Sequence, residues 1–270
     1  MAESTGSSCW RAALAACLIL VGIGPAAAQQ PQGIIDAPPD PTFLSRFDFN
    51  MSAVKLAYPD QRFSWDTHWA GDFDLVDYVY GRASFLADYQ ALLGSEFRAF
   101  DPYQSSYTLE ASGSVRSGKT EVLGVLSHVS RHLGDRFKRT AVAENSLGPR
   151  VMRRFTEGRS TFEFRGDLRK VIARAYVDYN WIIDADVTIR SDLNTRTGVY
   201  VRMFGQTIPM DQTIAGRDRQ SGGRVEAGVL VGGTNGDLAL FFGAERVVDA
   251  DPLDRLPRHW AFAGFRLMRN

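Results

Sequence analysis

The residues best suited to chemistry lie in one short run, Ser127-His128-Val129-Ser130-Arg131-His132-Leu133-Gly134-Asp135. On an extended chain the side chains of His128, Ser130 and His132 share a face, at steps of about 6.6 to 7 Å. A serine hydroxyl becomes a nucleophile when an imidazole takes its proton and a third group fixes that imidazole's direction and tautomer. Ser130 is the expected nucleophile and His128 the expected general base, provided that the two side chains lean toward each other. Asn145 or Glu144, which follow the 133–143 link, would orient the base. The same run also reads as a polar network, with His132, Asp135 and Arg131 lining an interior beneath a loop. A metal shared by His128 and His132 is excluded, because i and i+4 on a strand lie about 13 Å apart. Gly-rich phosphate loops, zinc-type Cys/His spacings and a G-x-S-x-G elbow are absent from the sequence, so neither a cofactor nor a metal is expected.

The elements that must carry these residues have a period of two. From Ala175 to Arg190, Ala175, Val177, Tyr179, Trp181, Ile183, Ala185, Val187 and Ile189 alternate with Tyr176, Asp178, Asn180, Ile182, Asp184, Asp186, Thr188 and Arg190. Read as one strand, this is about three times the usual soluble length. A helix would scatter its acids around the whole circumference. Tyr107–Val115, Arg224–Gly233 and Trp260–Leu267 repeat the alternation, and Asn235-Gly236 is a hairpin turn signal.

Strands are expected near 48–57, 61–72, 80–92, 105–116, 120–132, 146–156, 159–171, 174–190, 197–207, 224–233, 238–247 and 258–268. Tight turns at 117–119, 156–159, 191–196 and 234–237 interleave with longer links at 93–104, 133–145, 208–223 and 248–257. That alternation of link length belongs to outer-membrane barrels, whose long loops face outward. The expected fold is therefore all-β, a closed antiparallel transmembrane barrel of about twelve strands. Its competitor is an exported soluble sandwich or lipocalin-like barrel acting as a binding module. Asp178, Asp184, Asp186 and Arg190 would face the lumen as a salt-bridge lattice or a charged lining for a small solute. Trp65, Trp69, Tyr78, Tyr80, Tyr179, Trp181 and Trp260 partly match two aromatic girdles. Arg150, Arg153, Arg154, Arg159, Arg165, Arg169 and Lys170 gather around one hairpin. In the strand count His128 and Ser130 sit near the outward end of an ascending strand, at the outer lipid interface. Which way they point is open, since Leu123, Val125 and Val129 oppose Val122, Gly124 and Leu126 on a strand with two mixed faces.

Composition agrees with this reading and closes others. The 270 residues hold 31 Lys+Arg against 31 Asp+Glu, with 44% apolar and 11% aromatic residues. A nucleic-acid binder would carry a basic surplus and a disordered acidic chain would lack the aromatics. After residue 28 no apolar run is long enough for a spanning helix. Residues 1–28 read as a cleaved signal peptide, with Arg11 before an apolar Ala12–Ile23 segment and Ala26-Ala27-Ala28 before Gln29. Both cysteines, Cys9 and Cys17, fall within it, leaving no disulfide framework. Residues 29–46, with Pro31, Pro38, Pro39 and Pro41, read as an extended periplasmic leader, and 47–270 as the barrel. The expected location is the outer membrane of a Gram-negative envelope, with outer-membrane lipid as the expected partner and no nucleic acid.

The pair His128-x-Ser130 near an outer rim, followed by Asn145, resembles the outer-membrane phospholipase A family, twelve-stranded barrels whose His, Ser and Asn hydrolyse lipid esters. It is similar as well to lipid A deacylase barrels, which use His, Ser and Glu, a pattern in which Glu144 would take the third place. This chain departs from the phospholipase pattern directly after the serine, with Arg131 and His132 in place of Asn and Gly, and in its Ser-to-Asn spacing. The longer string H-x-S-x-H-L-G-D resembles an uncharacterised family of exported outer-membrane β-barrels, a likeness that implies a fold and no activity. Two functions follow: a barrel of structural, pore or lipid-contacting type, or a lipid-ester hydrolase.

Overall fold

The computed structural model describes residues 37–57, 60–134, 140–214, 216–251 and 253–269. Within them the chain forms β1 (Thr42–Leu56), β2 (Trp65–Asp77), β3 (Arg82–Gly94), β4 (Asp101–Ser117), β5 (Thr120–Leu133), β6 (Val142–Glu157), β7 (Ser160–Ala175), β8 (Trp181–Asp192), β9 (Thr197–Pro209), β10 (Arg219–Gly232), β11 (Asp237–Val247) and β12 (Arg258–Arg269). Each strand pairs antiparallel with its sequence neighbours. β1 and β12 close the ring, in register from Phe49↔Arg269 to Leu56↔Phe262. The closed, twelve-stranded, all-β architecture is the expected one.

Several boundaries differ from expectation, with β2 at Trp65–Asp77 instead of 61–72 and β4, β6 and β10 starting four or five residues early. The alternation from Ala175 to Arg190 is not one strand: β7 ends at Ala175, the chain turns over 176–180, and β8 starts at Trp181. Tyr176 takes a left-handed φ of 68°, and Tyr179 bridges to Met210 instead of continuing the ladder. β1 already begins at Thr42, inside the segment expected to be a leader. Residues 1–36, which hold the expected signal peptide, lie outside the described residues.

Short and long links sort to opposite ends. Residues 78–81, 118–119, 158–159, 193–196 and 233–236 turn at one end, while 57–64, 95–100, 134–141, 176–180, 210–218 and 248–257 connect at the other. The two-residue turns need a left-handed first residue, which Gly118 (φ 56°) and Gly158 (φ 60°) provide without a Cβ penalty.

Side chains sort by parity in the reverse of a soluble barrel. Val122, Leu126, Leu147, Val151, Leu168, Ile172, Val225, Val229, Phe242 and Leu267 lie exposed on the outside. The interior is a lattice of ion pairs. Arg82 meets Asp74 at 3.0 Å and Glu121 at 2.9 Å, and Arg150 meets Glu110 at 3.0 Å and Asp167 at 2.6 Å. Arg169 reaches Asp184 and Arg202 reaches Asp186, each at 2.6 Å, and Arg224 and Arg266 share Glu226. Buried charge is tolerable only when paired and hydrogen-bonded in this way. The basic run of the sequence is divided: Arg150, Arg165 and Arg169 point inward and are buried, whereas Arg153 and Arg159 are exposed. Small apolar clusters interrupt the lattice, among them Leu123, Val125 and Met152. Among the described residues, one cavity of about 130 Å³ lies toward the long-loop end and another of about 410 Å³ at the short-turn mouth.

Candidate functional site

β5 climbs from the 118–119 turn to the 134–141 link, so His128, Ser130 and His132 occupy its last turns below the long-loop rim. Glu121, Leu123, Val125 and Ser127 are buried inside, whereas Val122 and Leu126 are exposed outside. Strand parity then directs every even-numbered residue of β5 outward. His128, Ser130 and His132 accordingly stand on the external wall, above an apolar surface made by Leu109, Leu126 and Leu147.

Register supplies the third group. Asn145 of β6 lies directly opposite His128, and His128 Nδ1–H donates to Asn145 Oδ1 at 2.6 Å. That bond fixes the tautomer and leaves Nε2 as the basic nitrogen. Ser130 Oγ and His132 Nε2 are hydrogen-bonded at 2.8 Å. Beside Ser130 stand Tyr107 of β4 on one flank and the small Ala143 of β6 on the other. The Tyr107 ring meets His132 edge-on with centroids 5.6 Å apart. It also packs against Tyr89, which packs against Trp69, at 5.0 and 5.7 Å. These four rings run across β2 to β5 on the outer face. Sequence reading missed this row because the partners sit far apart in the chain, on three other strands.

Glu144 and Asn145 part company at this wall. Glu144 is buried on the lumen side, 3.7 Å from Arg131, so it cannot orient His128; Asn145 alone reaches it. The expected network of His132 with Arg131 is likewise divided, since Arg131 points inward and His132 outward. Asp135 lies outside the described residues. Arg131 Nη1 donates to the Tyr179 hydroxyl at 3.3 Å, and that hydroxyl donates to Asp249 at 2.9 Å. Burial pushes the Tyr179 phenol up, so it stays a neutral donor.

The other expected residues take separate places. Asp184 and Asp186 belong to the lumen lattice, while Asp178 lies in the 176–180 link, where Arg217 joins it at 2.9 Å and Asp249 at 2.8 Å. Arg190 lies at the short-turn mouth beside Asp192, at 2.9 Å and well exposed. Of the expected girdle, Trp69, Tyr78 and Tyr80 are on the surface, but Tyr179 and Trp260 are buried inside. Tyr179 sits in the 176–180 link, and Trp260 shares the inward face of β12 with Phe262 and Arg266.

Among the described residues no group of three or more His, Cys, Asp or Glu could hold a metal ion. No protein-family model matches the chain, and no curated protein matches it. Solved structures do resemble it. Outer membrane phospholipase A from Escherichia coli aligns at a TM-score of 0.52 and 9% identity, over 83% of this chain and 92% of its own. The Salmonella typhi outer membrane phospholipase dimer with bound calcium aligns at 0.51 and 11%, over 83% and 90%. LpxR from Salmonella typhimurium aligns at 0.46 and 8%, over 82% and 99%. At such identities the likeness is one of fold: the chain shares the closed barrel of the outer-membrane phospholipases.

Proposed function

We propose that this chain is an outer-membrane barrel that hydrolyses lipid esters at its external face, with Ser130 as nucleophile, His128 as general base and Asn145 as the group that orients the base. The observation that carries the reading is the outward-facing His128–Asn145 hydrogen bond beside Ser130, set at the upper edge of an apolar wall. An apolar exterior around a closed, fully paired sheet is the form that a strand-built protein takes in lipid. With the short turns at the periplasmic end, the site faces the outer leaflet. Residues 1–28 would direct export.

In the reaction the Ser130 hydroxyl gives its proton to His128 Nε2 as Oγ attacks the ester carbonyl. Asn145 Oδ1 holds the Nδ1–H of the resulting imidazolium. The proton then passes to the departing alkoxide, leaving an acyl-serine, and a water activated by the same nitrogen hydrolyses it. A solute pore is disfavoured on physical grounds, because the lumen is filled by buried ion pairs.

The site is tested by covalent labelling. A fluorophosphonate should modify the folded barrel at Ser130, read by peptide mass spectrometry, and Ser130→Ala should remove the adduct. Labelling at another residue, or none in folded protein, would refute the assignment.

A further inference from the structure

Ser130 stands between two imidazoles on one strand face, and its hydroxyl is given to the one that the proposed mechanism does not use. Ser130 Oγ is hydrogen-bonded to His132 Nε2 at 2.8 Å, while His128 is engaged by Asn145 at 2.6 Å. Each imidazole is two residues from the serine, with Cα atoms about 6.6 to 7 Å away on either side. A single Oγ therefore meets one or the other, selected by rotation about χ1 between staggered wells. His132 is no loose surface group. Its ring is the last member of the row Trp69, Tyr89, Tyr107 and His132, whose centroids are 5.7, 5.0 and 5.6 Å apart in turn.

We propose that His132 is a positioning residue that holds the Ser130 hydroxyl away from His128, so that the nucleophile–base pair forms only when the hydroxyl turns. This rests on the hydrolase reading above. No covalent bond changes in the turn: the hydroxyl keeps its proton and exchanges one nitrogen acceptor, His132 Nε2, for another, His128 Nε2. The competent fraction of the enzyme is then set by the hydrogen bond to His132. Removing that bond should raise the fraction by about threefold to tenfold, the shift that one net hydrogen bond supports.

The test uses the full barrel, folded in detergent, as wild type, Ser130→Ala, His132→Phe and His132→Gln, each checked for a heat-dependent shift in electrophoretic mobility. Two rates are read: fatty-acid release from dispersed phospholipid and fluorophosphonate labelling of Ser130. His132→Phe keeps a ring against Tyr107 and should raise kcat and the labelling rate together by about threefold to tenfold, with KM unchanged. His132→Gln, whose amide oxygen can still accept from the hydroxyl, should give a smaller rise. If neither variant folds, Tyr107→Leu frees the His132 ring from its edge contact and should raise both rates in the same direction. Loss of labelling in folded His132→Phe would overturn the proposal by making His132 the base, and rates within twofold of wild type would overturn it by showing that the bond restrains nothing. Equal fatty-acid release by wild type and Ser130→Ala would instead refute the hydrolase reading itself.

Discussion

Asn145 and Glu144 are adjacent in sequence and lie on opposite sides of a wall one strand thick. The sequence left both as partners for His128; backbone pleating separates them, and register decides between them by placing Asn145 opposite His128. Asn145→Ala should lower kcat by about 10- to 100-fold, measured as fatty-acid release, because the base loses its orienting acceptor. Glu144→Gln should leave that rate within about twofold. It should nonetheless weaken the fold by about 1 to 3 kcal/mol in urea titration, since Arg131 loses its buried counter-charge. A large activity loss in Glu144→Gln with stability intact would mean that the two residues have been assigned to the wrong faces.

At the scale of strands, β5 is the element on which the account turns. Its alternation did not orient it in sequence, because Leu123 and Val125 are apolar yet point inward, where they pack with Met152 in a gap of the ion-pair lattice. The signal that could have oriented it is charge: Glu121 and Arg131 share odd parity, and charge seeks the paired interior. The break at 176–180 was hidden for the opposite reason, since alternation persists in sequence across a turn. Tyr176 and Asp178 simply continue the pattern while the backbone leaves the sheet and Asp178 joins Arg217. The tight turns near 117–119, 156–159, 191–196 and 234–237, by contrast, were legible, and with them the count of twelve strands. If β5 presents its even face to lipid, Leu126→Arg should destabilise the folded barrel in vesicles by about 2 to 4 kcal/mol. A neutral result would place Leu126 away from the hydrocarbon.

For the whole molecule, the interior is an ion-paired scaffold and the proposed site lies on the outside of the wall. Arg150 of β6, buried between Glu110 of β4 and Asp167 of β7, ties neighbouring strands together on the lumen side. Arg150→Met removes one guanidinium from two carboxylates, leaving Glu110 to Arg169 and Asp167 to Arg165 and Arg169, and should cost about 1 to 3 kcal/mol, seen as a lower urea midpoint for loss of the heat-modifiable band. The links over the outer mouth are tied down in the same manner, with Arg217 joining Asp178 to Asp249 and Tyr179 joining Asp249 to Arg131 behind the site. A barrel packed in this way presents a rigid outer wall on which a nucleophile and its base can be held in lipid. The central claim is that Ser130 on this wall cleaves lipid esters, and fatty-acid release from phospholipid vesicles by the folded protein tests it most directly. Wild type should release fatty acid steadily, and Ser130→Ala should lower the rate by about 10³-fold or more. Release that is absent from folded wild type, or unchanged by the substitution, would contradict it.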